Sequence, residues 1–285
     1  MQILAPVRWA SYRLPVRARR RVLFLLGNRR LPRFSKPASF NDKVNWRIIN
    51  DRRPLIEWTC DKLAMKERAR GVPGLIIPKT LWVGTDLLAL ASTELPDHWV
   101  LKPNNRTGLV YFGTGRPEIE ELEERTAGWL RAKESNNLAE WAYSKARPMF
   151  LAEELIGAPV SAPTDYKFFV FEGDVAAIQV DVNRHSFHQR RLYLPDWSPL
   201  EVRSGVYTLP PVQPPPAGLD RMLAIAGELG SEFDFIRIDL YSVSGSIYFG
   251  EFTPYPGSGL ERFVPTSFDR DLLGSKWKLP DLAVS

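Results

Sequence analysis

Two strand-like segments near the carboxyl end of the sequence carry charged residues at alternate positions. This pattern constrains the fold more than any other feature. In FDFIRIDLY, isoleucine and leucine alternate with Arg237 and Asp239, and in IYFGEFT, Glu251 and Thr253 occupy alternate positions. Alternate residues of a strand share a face. The sequence therefore predicts a hairpin, with strands over 233–241 and 247–253, that has one apolar and one charged face.

The turn of this hairpin determines which charged residues meet. If it is centred on Gly245, which takes a positive φ easily, Asp239 faces Glu251 and Arg237 faces Thr253. Facing Cβ atoms lie about 4.5–5.5 Å apart, and two carboxylates at that distance repel. A divalent cation that prefers oxygen ligands relieves the repulsion, and magnesium held by carboxylates and phosphates is the common case.

A second interpretation is an ion pair of Arg237 with Glu251 or Asp239 on a solvent-facing sheet. The glycine-rich run TPYPGSG, residues 253–259, follows the second strand. Such a run lets the backbone approach a ligand closely. It favours the metal interpretation, in which Arg237 faces a phosphate oxygen.

The remaining pattern mixes helices and strands without strict alternation, which indicates an α+β fold rather than a doubly wound parallel sheet. We predict helices over 41–50 with Asn41 as the cap, 61–71 with Asp61 as the cap, 117–133, and 219–229. We predict strands over 98–103, 109–113, 149–156, 165–172 and 175–182, and an extended proline-rich connection over 195–218.

The basic residues are concentrated at the amino end of the chain. The net charge is +5, and the first 34 residues hold nine arginines and no acid. These are Arg8, Arg13, Arg17, Arg19, Arg20, Arg21, Arg29, Arg30 and Arg33. Such an arm can bind an anionic membrane face or an anionic polymer. The alternative is a solvated helix whose arginines pair with acids elsewhere in the fold.

The single cysteine, Cys60, excludes a disulfide framework and argues against a cysteine zinc site. No apolar run approaches the roughly 18 residues of a membrane span, and no secretory signal pattern is present. We therefore expect a cytoplasmic protein, with peripheral contact at the inner membrane face if the arm binds lipid. The histidines, His98, His185 and His188, have no metal-ligand spacing and are interpreted as structural or surface residues.

At the hairpin the sequence resembles the ATP-grasp superfamily. The R-I-D triplet followed by E-F-T-P-x-P-G-S-G is similar to the metal-binding block of D-alanine–D-alanine ligases, and the TupA-like branch, associated with teichuronopeptide and other surface polysaccharides, is the nearer match. Its further motifs are matched by Pro37, Phe40, Asn41, Lys43, Trp46, Asp61-Lys62, LPDHWVLKPN over 95–104, Glu153-Glu154, DYKFFVF over 165–171, Arg190, Tyr193 and Trp197.

This resemblance implies a nucleotide site. Lys62 and Lys102 would reach ATP phosphates beneath a lid loop that begins at Asn104 and carries Arg106. Backbone groups of the hinge would contact adenine. The hinge residues are Glu153, Glu154, Leu155 and Ile156. The alternative for one of the two glutamates is a solvated side chain without a role in binding. Asp165 and Lys167 would continue the site, unless they merely pair with each other.

The resemblance also implies the reacting centre. Asp239 and Glu251 would hold Mg²⁺, with Thr253 as the third protein ligand where the ligases carry asparagine. Arg237, Lys167 and Arg190 would stabilise the transferring phosphoryl group. The implied fold is ATP-grasp, with two α+β lobes holding ATP between them: a basic helical segment over 1–60, a lid lobe over 61–155, and a metal-binding lobe over 156–285.

Three functions follow as hypotheses. The first is an ATP-dependent carboxylate–amine ligase that forms an amide through an acyl phosphate, in surface polysaccharide or natural-product biosynthesis. The second is a phosphotransferase or glycosyltransferase of polysaccharide assembly. A D-x-D sugar-nucleotide motif would favour glycosyl transfer, and we assign none. The third is a non-catalytic nucleotide-binding protein, disfavoured by the near-complete set of charged positions. Substrate selectivity would lie in loops 183–189 and 253–262, and no nucleic-acid partner is expected.

Overall fold

The computed structural model describes residues 10–131, 137–157, 163–182 and 188–282. The α-helices are α1 Val16–Asn28, α2 Phe40–Asn50, α3 Pro54–Glu57, α4 Lys62–Ala69, α5 Leu87–Ala91, α6 Ile119–Thr126 and α7 Leu219–Gly230. The strands are β1 Leu75–Ile76, β2 Thr80–Gly84, β3 His98–Pro103, β4 Tyr111–Thr114, β5 Phe150–Glu154, β6 Asp165–Phe171, β7 Asp174–Val182, β8 Gln189–Tyr193, β9 Pro199–Leu200, β10 Arg203–Ser204, β11 Ile236–Val243, β12 Ser246–Thr253 and β13 Phe263–Val264.

A seven-stranded sheet forms the larger half of the molecule, in the order β1-β12-β11-β6-β7-β8-β9. Its hairpin β11–β12 has the predicted facing pairs, with Arg237 opposite Thr253 and Asp239 opposite Glu251. The α+β class is confirmed. The chain forms this sheet, a separate four-stranded sheet β2-β5-β3-β4 and several helices, and strands and helices do not alternate strictly along the sequence.

The turn of the hairpin differs from the one predicted. Ser244 and Gly245 both have positive φ, 50° and 79°, as a two-residue type I′ turn requires. The strand pairing then shifts by one residue after Asp239, which leaves Gly250 as a bulge. A Cβ atom at Gly250 would lie 2.7 Å from the Asp239 carbonyl oxygen. The bulge restores the facing pair Asp239–Glu251, which the turn alone would have offset.

In the described part of the chain, two hydrophobic cores pack against the seven-stranded and the four-stranded sheet. The larger is aromatic and packs α2 and α7 against the seven-stranded sheet; Phe40, Phe169 and Phe235 belong to it. Phe40 and Phe235 meet edge to face with their ring centroids 4.9 Å apart. The smaller core packs α5 and α6 against the four-stranded sheet around Trp99. Two separate cores are consistent with two lobes.

The boundaries of the predicted lobes, 1–60, 61–155 and 156–285, remain a proposal. Within the larger core, α2 of the first segment and Met65 of α4 pack with the carboxyl-terminal strands. Strand β1, which falls in the predicted lid lobe, pairs with β12 of the large sheet. Packing therefore crosses the proposed boundary at residue 61.

Helix boundaries correct the sequence analysis at two places. Ser39, not Asn41, caps α2, and the Ser39 hydroxyl accepts a hydrogen bond from the Asp42 N–H. Asn41 instead donates to Asn28 Oδ1 at 2.9 Å. Helix α6 covers only Ile119–Thr126 of the predicted 117–133, because the chain leaves helical geometry at Ala127; residues 132–136 lie outside the described residues.

The other predicted elements are confirmed within a few residues. Asp61 caps α4 by accepting from the Ala64 N–H, and α4 ends at Ala69. The hairpin β6–β7, the helix α7 and the strands β3 and β5 lie where the sequence placed them. In the proline-rich connection over 195–218, the regular elements are the two-residue strands β9 and β10.

We predict that Ser39→Ala lowers the free energy of unfolding by about 1 kcal/mol or more. The Ser39 hydroxyl caps α2 and also accepts from Arg30 Nη2 at 2.6 Å. Ser35→Ala is the matched control, because exposed Ser35 accepts only a 3.4 Å hydrogen bond from Arg17. Urea unfolding measures both. Equal losses in the two variants would contradict the assigned cap.

Candidate active site

Charged side chains of three neighbouring strands form a row on one face of the large sheet. In the strand register, Asp239 of β11 lies between Lys167 of β6 and Glu251 of β12. Arg237 and Thr253 form the neighbouring facing pair. The structure thus brings together five of the residues that the sequence assigned to phosphoryl transfer and metal binding.

Asp239 is the best-satisfied carboxylate of this row. Arg237 binds it in bidentate fashion, with Nε–Oδ1 and Nη2–Oδ2 distances of 2.7 Å each. Lys167 Nζ lies 2.8 Å from Asp239 Oδ2 and also contacts Asp165. Burial disfavours the charged form of Asp239, but Arg237 and Lys167 outweigh burial and lower the pKa of its carboxyl. Asp239 is therefore ionised at neutral pH.

The repulsion expected between Asp239 and Glu251 is thus relieved by protein cations. The Arg237–Asp239 pair exists, but on a buried face, since Arg237 is 9% exposed. Glu251 keeps looser contacts, from the Thr253 hydroxyl at 3.0 Å and Arg237 Nη2 at 3.5 Å. Its side chain is 32% exposed. The accessible oxygen atoms of the row therefore belong to Glu251.

The donor set suits a hard cation. Asp239, Glu251 and Thr253 offer carboxylate and hydroxyl oxygens, and Mg²⁺ is usually held by one or two carboxylates with phosphates completing its shell. Among residues 10–131, 137–157, 163–182 and 188–282, no group of three or more His, Cys, Asp or Glu side chains forms a preorganised metal site. Asp239 and Glu251 therefore fit Mg²⁺ as a two-carboxylate site in which phosphate oxygens would complete the coordination shell.

Arg190 joins the row through a carboxylate that the sequence analysis missed. Arg190 Nε lies 2.7 Å from Asp181 Oδ1, and Asp181 Oδ2 lies 3.8 Å from Lys167 Nζ. Arg190 Nη1 also binds Glu261 Oε2 at 2.6 Å. Asp181 faces Asp165 in the β6–β7 register, so alternation along the predicted hairpin could have identified it. Glu261 follows the glycine-rich loop, and no comparable sequence pattern identifies it.

A second charged cluster lies on the four-stranded sheet. Glu153 of β5 is buried between Lys102, with Nζ–Oε2 at 2.8 Å, and Lys66. Burial opposes ionisation of Glu153, but the two lysines outweigh burial and lower its pKa. Lys66 also donates to the Thr80 hydroxyl at 2.7 Å. Sequence reasoning missed Lys66, although it lies one helical turn after Lys62 on α4.

Lys62 connects this cluster with the first. Its ammonium group donates to the carbonyls of Pro103, at 2.9 Å, and Arg106. Burial lowers the pKa of Lys62 to about 8, against the opposing charge of Glu251. Lys62 is therefore influenced by the charge of Glu251, and its contacts with the two carbonyls hold the loop after β3.

Asn104 and the hinge residues have mainly structural contacts. Asn104 is fully buried; its Oδ1 accepts from the Leu63 N–H at 3.0 Å, and its Nδ2 donates to the Arg147 carbonyl at 3.0 Å. Glu154 accepts from the Lys79 N–H at 2.8 Å. Leu155 and Ile156 follow β5 and are half-buried. Their contact with adenine remains a prediction.

Comparison with known sequences decides the family. A sequence model of the TupA-like ATP-grasp family matches residues 42–278. The chain belongs to the TupA-like ATP-grasp family. Its charged row and its lysine cluster both lie inside the matched region, whereas α1 and its arginines lie outside it. No curated protein matches the sequence.

Solved ATP-grasp ligases are distantly similar to this TupA-like chain. D-alanine–D-alanine ligase from Bacillus anthracis is 16% identical, with 69% of this chain and 57% of that chain covered and a TM-score of 0.42. The ligase from Helicobacter pylori is 14% identical, with 76% and 56% covered and a TM-score of 0.44. The ATP-grasp ligase PsnB is 13% identical, with 83% and 65% covered and a TM-score of 0.42. The chain thus spans between half and two thirds of their length.

We predict that Asp181 makes unfolding pH-dependent in acid. Burial disfavours its charge, but Arg190 and Lys167 outweigh burial and lower its pKa from 3.8 to about 2. A carboxyl whose pKa is lower in the folded than in the unfolded state stabilises the fold at pH values above its unfolded-state pKa. This stabilisation is lost as the pH falls from about 4 to about 2. Asp181→Asn should therefore lose less stability than the wild type over this window, by about 2 kcal/mol.

Urea unfolding across that pH range measures the effect. The exposed Asp220→Asn variant is the matched control and should follow the wild-type slope. An Asp181→Asn slope equal to that of the wild type would contradict the assigned ion pairs.

Proposed function

We propose that the chain is an ATP-dependent ligase that joins a carboxylate to an amine through an acyl phosphate. The row Lys167–Asp239–Glu251, with Arg237 beside it, is the observation that carries this proposal. It combines carboxylates for a hard cation with fixed cations for developing phosphate charge, which is what phosphoryl transfer needs from a protein.

Each charged group has a role in this proposal. Asp239, Glu251 and Thr253 would hold Mg²⁺, whose charge would neutralise phosphate oxygens during transfer. Arg237 and Lys167 keep Asp239 ionised and oriented, and their positive charge faces the same site. Arg190, fixed by Asp181 and Glu261, adds a further guanidinium group at the edge of the row.

The lysine cluster would bind the nucleotide. Lys102 and Lys62 would contact ATP phosphates, and Glu153 would orient Lys102 as it does here at 2.8 Å. Backbone groups of Glu154, Leu155 and Ile156 would meet adenine, and Asp165 would hold Lys167. Closure of the two lobes would exclude water, which protects an acyl phosphate from hydrolysis.

Transfer to a hydroxyl group or from a sugar nucleotide is the second function. The sequence analysis assigned no D-x-D motif, but the chain does contain one such triplet, Asp269-Arg270-Asp271. Asp269 is buried and accepts from the Asn41 N–H at 2.8 Å, while Asp271 is exposed and pairs with Arg270. The two carboxylates therefore have separate structural contacts, and we place the ligase first. A surface polysaccharide or natural-product pathway fits either activity.

We predict that Glu251→Gln lowers ATP turnover by about 10²-fold or more, because it removes the accessible carboxylate of the metal site. ADP and phosphate release would be measured with Mg²⁺ over a panel of carboxylates and amino-acid amines, and product mass separates an amide from a phosphoester. Exposed Glu228→Gln is the matched control. Full activity in Glu251→Gln, or in Asp239→Asn, would overturn the metal assignment.

We also propose that the outer face of α1 binds an anionic membrane surface. Arg30 pairs with an acid of the fold, Asp42, at 3.1 Å. Arg20 is fully buried and instead donates to uncharged oxygen atoms of Asn45, Leu138 and Ser258. The outer face keeps exposed arginines beside exposed apolar residues. On α1 these are Arg17 and Arg21 with Val16 and Leu25, and the flanking residues add Arg13, Leu14, Arg29, Leu31 and Arg33. In the described part of the chain, no helix is long and apolar enough to span a bilayer.

We predict that the triple variant Arg17→Glu, Arg21→Glu, Arg29→Glu loses binding to anionic vesicles. Each basic residue near such a surface contributes about 1 kcal/mol, so the affinity should fall by more than about 10²-fold. Vesicle cosedimentation at low and high salt measures it. Reversal of exposed Arg116, Arg131 and Lys145 is the control. Equal binding by the two triple variants would contradict the proposal. A deletion of residues 1–34 is a poorer test, because it also removes the buried Arg20.

A further inference from the structure

The glycine-rich loop after β12 has an unusual backbone. Gly257, Ser258 and Gly259 follow one another in left-handed geometry, with φ values of 52°, 55° and 60°. Glycine takes this conformation readily, whereas a residue with a Cβ atom takes it only at an energetic cost. A left-handed serine therefore indicates that the surrounding structure holds this part of the loop in place.

Arg20 of α1 holds this strained serine. The Arg20 side chain is fully buried; its Nη1 donates to the Ser258 hydroxyl at 3.0 Å, and its Nη2 donates to the Ser258 carbonyl oxygen. Asn45 of α2 orients the guanidinium group, because its Oδ1 accepts from Nε at 2.8 Å and from Nη2 at 2.6 Å. Nη1 also donates to the Leu138 carbonyl at 3.0 Å. Arg20 thus binds Ser258 through both its side chain and its backbone.

Buried asparagines of α1 and α2 fix the next residues of the chain. Asn45 Nδ2 and Asn28 Nδ2 both donate to the Gly259 carbonyl, at 3.0 Å and 3.1 Å. Asn41 Nδ2 donates to Asn28 Oδ1 at 2.9 Å and to the Glu261 carbonyl at 2.8 Å. A Cβ atom at Gly259 would lie 2.6 Å from Asn45 Nδ2, so this close approach requires glycine. Side chains of the two helices therefore hold the backbone as far as Glu261.

Glu261 connects the loop to the charged row. Its Oε2 accepts from Arg190 Nη1 at 2.6 Å and from the Ser204 hydroxyl at 3.1 Å. A Cβ atom at Gly257 would lie 2.7 Å from Glu261 Cγ, so the Glu261 side chain packs directly on the left-handed segment. Arg190 Nε in turn binds Asp181 at 2.7 Å. A carboxylate that fixes Arg190 is therefore itself placed by the loop.

We infer that Arg20 is a positioning residue of the proposed reacting centre. It holds Ser258 in the left-handed conformation, the loop thereby keeps Glu261 in place, and Glu261 keeps the Arg190 guanidinium group at the charged row. Arg20 acts only through these contacts. The inference deepens the ligase function proposed above and rests on it for the kinetic consequence, whereas the effect on the loop is independent of any activity.

This inference gives the amino-terminal helix a task in the active site. The family model matches residues 42–278, so Arg20 and Asn28 of α1 lie outside the matched region. The loop that they hold lies inside that region and directly follows the strand with Glu251 and Thr253. Helix α1 therefore supports the active site from outside the part of the chain that the family model describes.

Hydrogen–deuterium exchange of the full chain without ligands tests the effect on the loop. In Arg20→Gln, amide exchange of residues 256–262 should rise by about 10-fold or more, because the left-handed serine loses its partner. Lys43→Gln is the matched control. Lys43 of α2 is half-buried and donates to the Gly274 carbonyl at 2.9 Å and to the Trp277 carbonyl, which lie outside this loop.

A glycine at position 258 separates positioning from general stability. Glycine takes the left-handed conformation without help, so adding Ser258→Gly to Arg20→Gln should restore part of the lost protection. Leu260→Gly in the same background is the control, because Leu260 already has an ordinary φ of −113°. Loop exchange in Arg20→Gln equal to that in the wild type or in Lys43→Gln would overturn the inference. Failure of Ser258→Gly to rescue, or equal rescue by Leu260→Gly, would also overturn it.

Steady-state kinetics test the consequence for Arg190. With Mg²⁺, ATP and the panel of carboxylates and amines, Arg20→Gln should lower kcat by about 10-fold or more, because it displaces a group near the reacting atoms. The KM for ATP should stay unchanged, since the proposed ATP-binding residues Lys62 and Lys102 belong to other elements. Ser258→Gly should restore part of kcat. A wild-type kcat in Arg20→Gln, or an equal loss in Lys43→Gln, would overturn the positioning role.

The two proposals fail in different ways. If the wild type shows no ATP-dependent turnover, the ligase proposal falls, and hydrogen–deuterium exchange still decides whether Arg20 holds the loop. If Arg20→Gln does not fold, Ser258→Ala and Ser258→Gly form the test pair, because both remove the hydroxyl that accepts from Arg20 and only alanine keeps the strain. We expect faster loop exchange and a lower kcat in Ser258→Ala. Equal values in the pair, or the reverse order, would overturn the inference.

Discussion

The buried contact of Asp239 with Arg237 and Lys167 is the interaction on which the rest of the site depends. A lone carboxylate on a buried sheet face would become protonated or would destabilise the sheet. Two cations within 2.8 Å keep Asp239 charged and fix its orientation. They leave Glu251 as the accessible carboxylate, so one residue of the facing pair is structural in character and the other is open to ligands.

The amino-terminal helices support this arrangement from a distance along the chain. Arg20 and Asn45 hold the loop that contains Ser258, and this loop follows directly from the strand that carries Glu251 and Thr253. The basic segment therefore has two faces with different tasks. Its buried arginine, Arg20, holds the glycine-rich loop, and its exposed arginines carry the proposed contact with an anionic surface.

Local pattern was sufficient for part of this picture. Strand alternation predicted that Asp239 and Glu251 face each other, as they do in the structure. The contact of Lys62, Lys102 and Lys167 with phosphates, which the family resemblance implies, stays a prediction. The Gly250 bulge escaped prediction because it depends on the two-residue turn at Ser244. Arg20 escaped it because its contacts with Ser258 join residues 238 positions apart, and only the folded chain brings such residues together.

The central claim is that Glu251 and Asp239 bind a divalent cation together with nucleotide phosphates. Electron paramagnetic resonance of Mn²⁺, as a substitute for Mg²⁺, tests it most directly in the presence of a non-hydrolysable ATP analogue. The account predicts a protein-bound Mn²⁺–nucleotide complex in the wild type and an affinity reduced by about 10-fold or more in Glu251→Gln. Equal Mn²⁺ affinity in the two proteins, or binding that is independent of nucleotide, would contradict it.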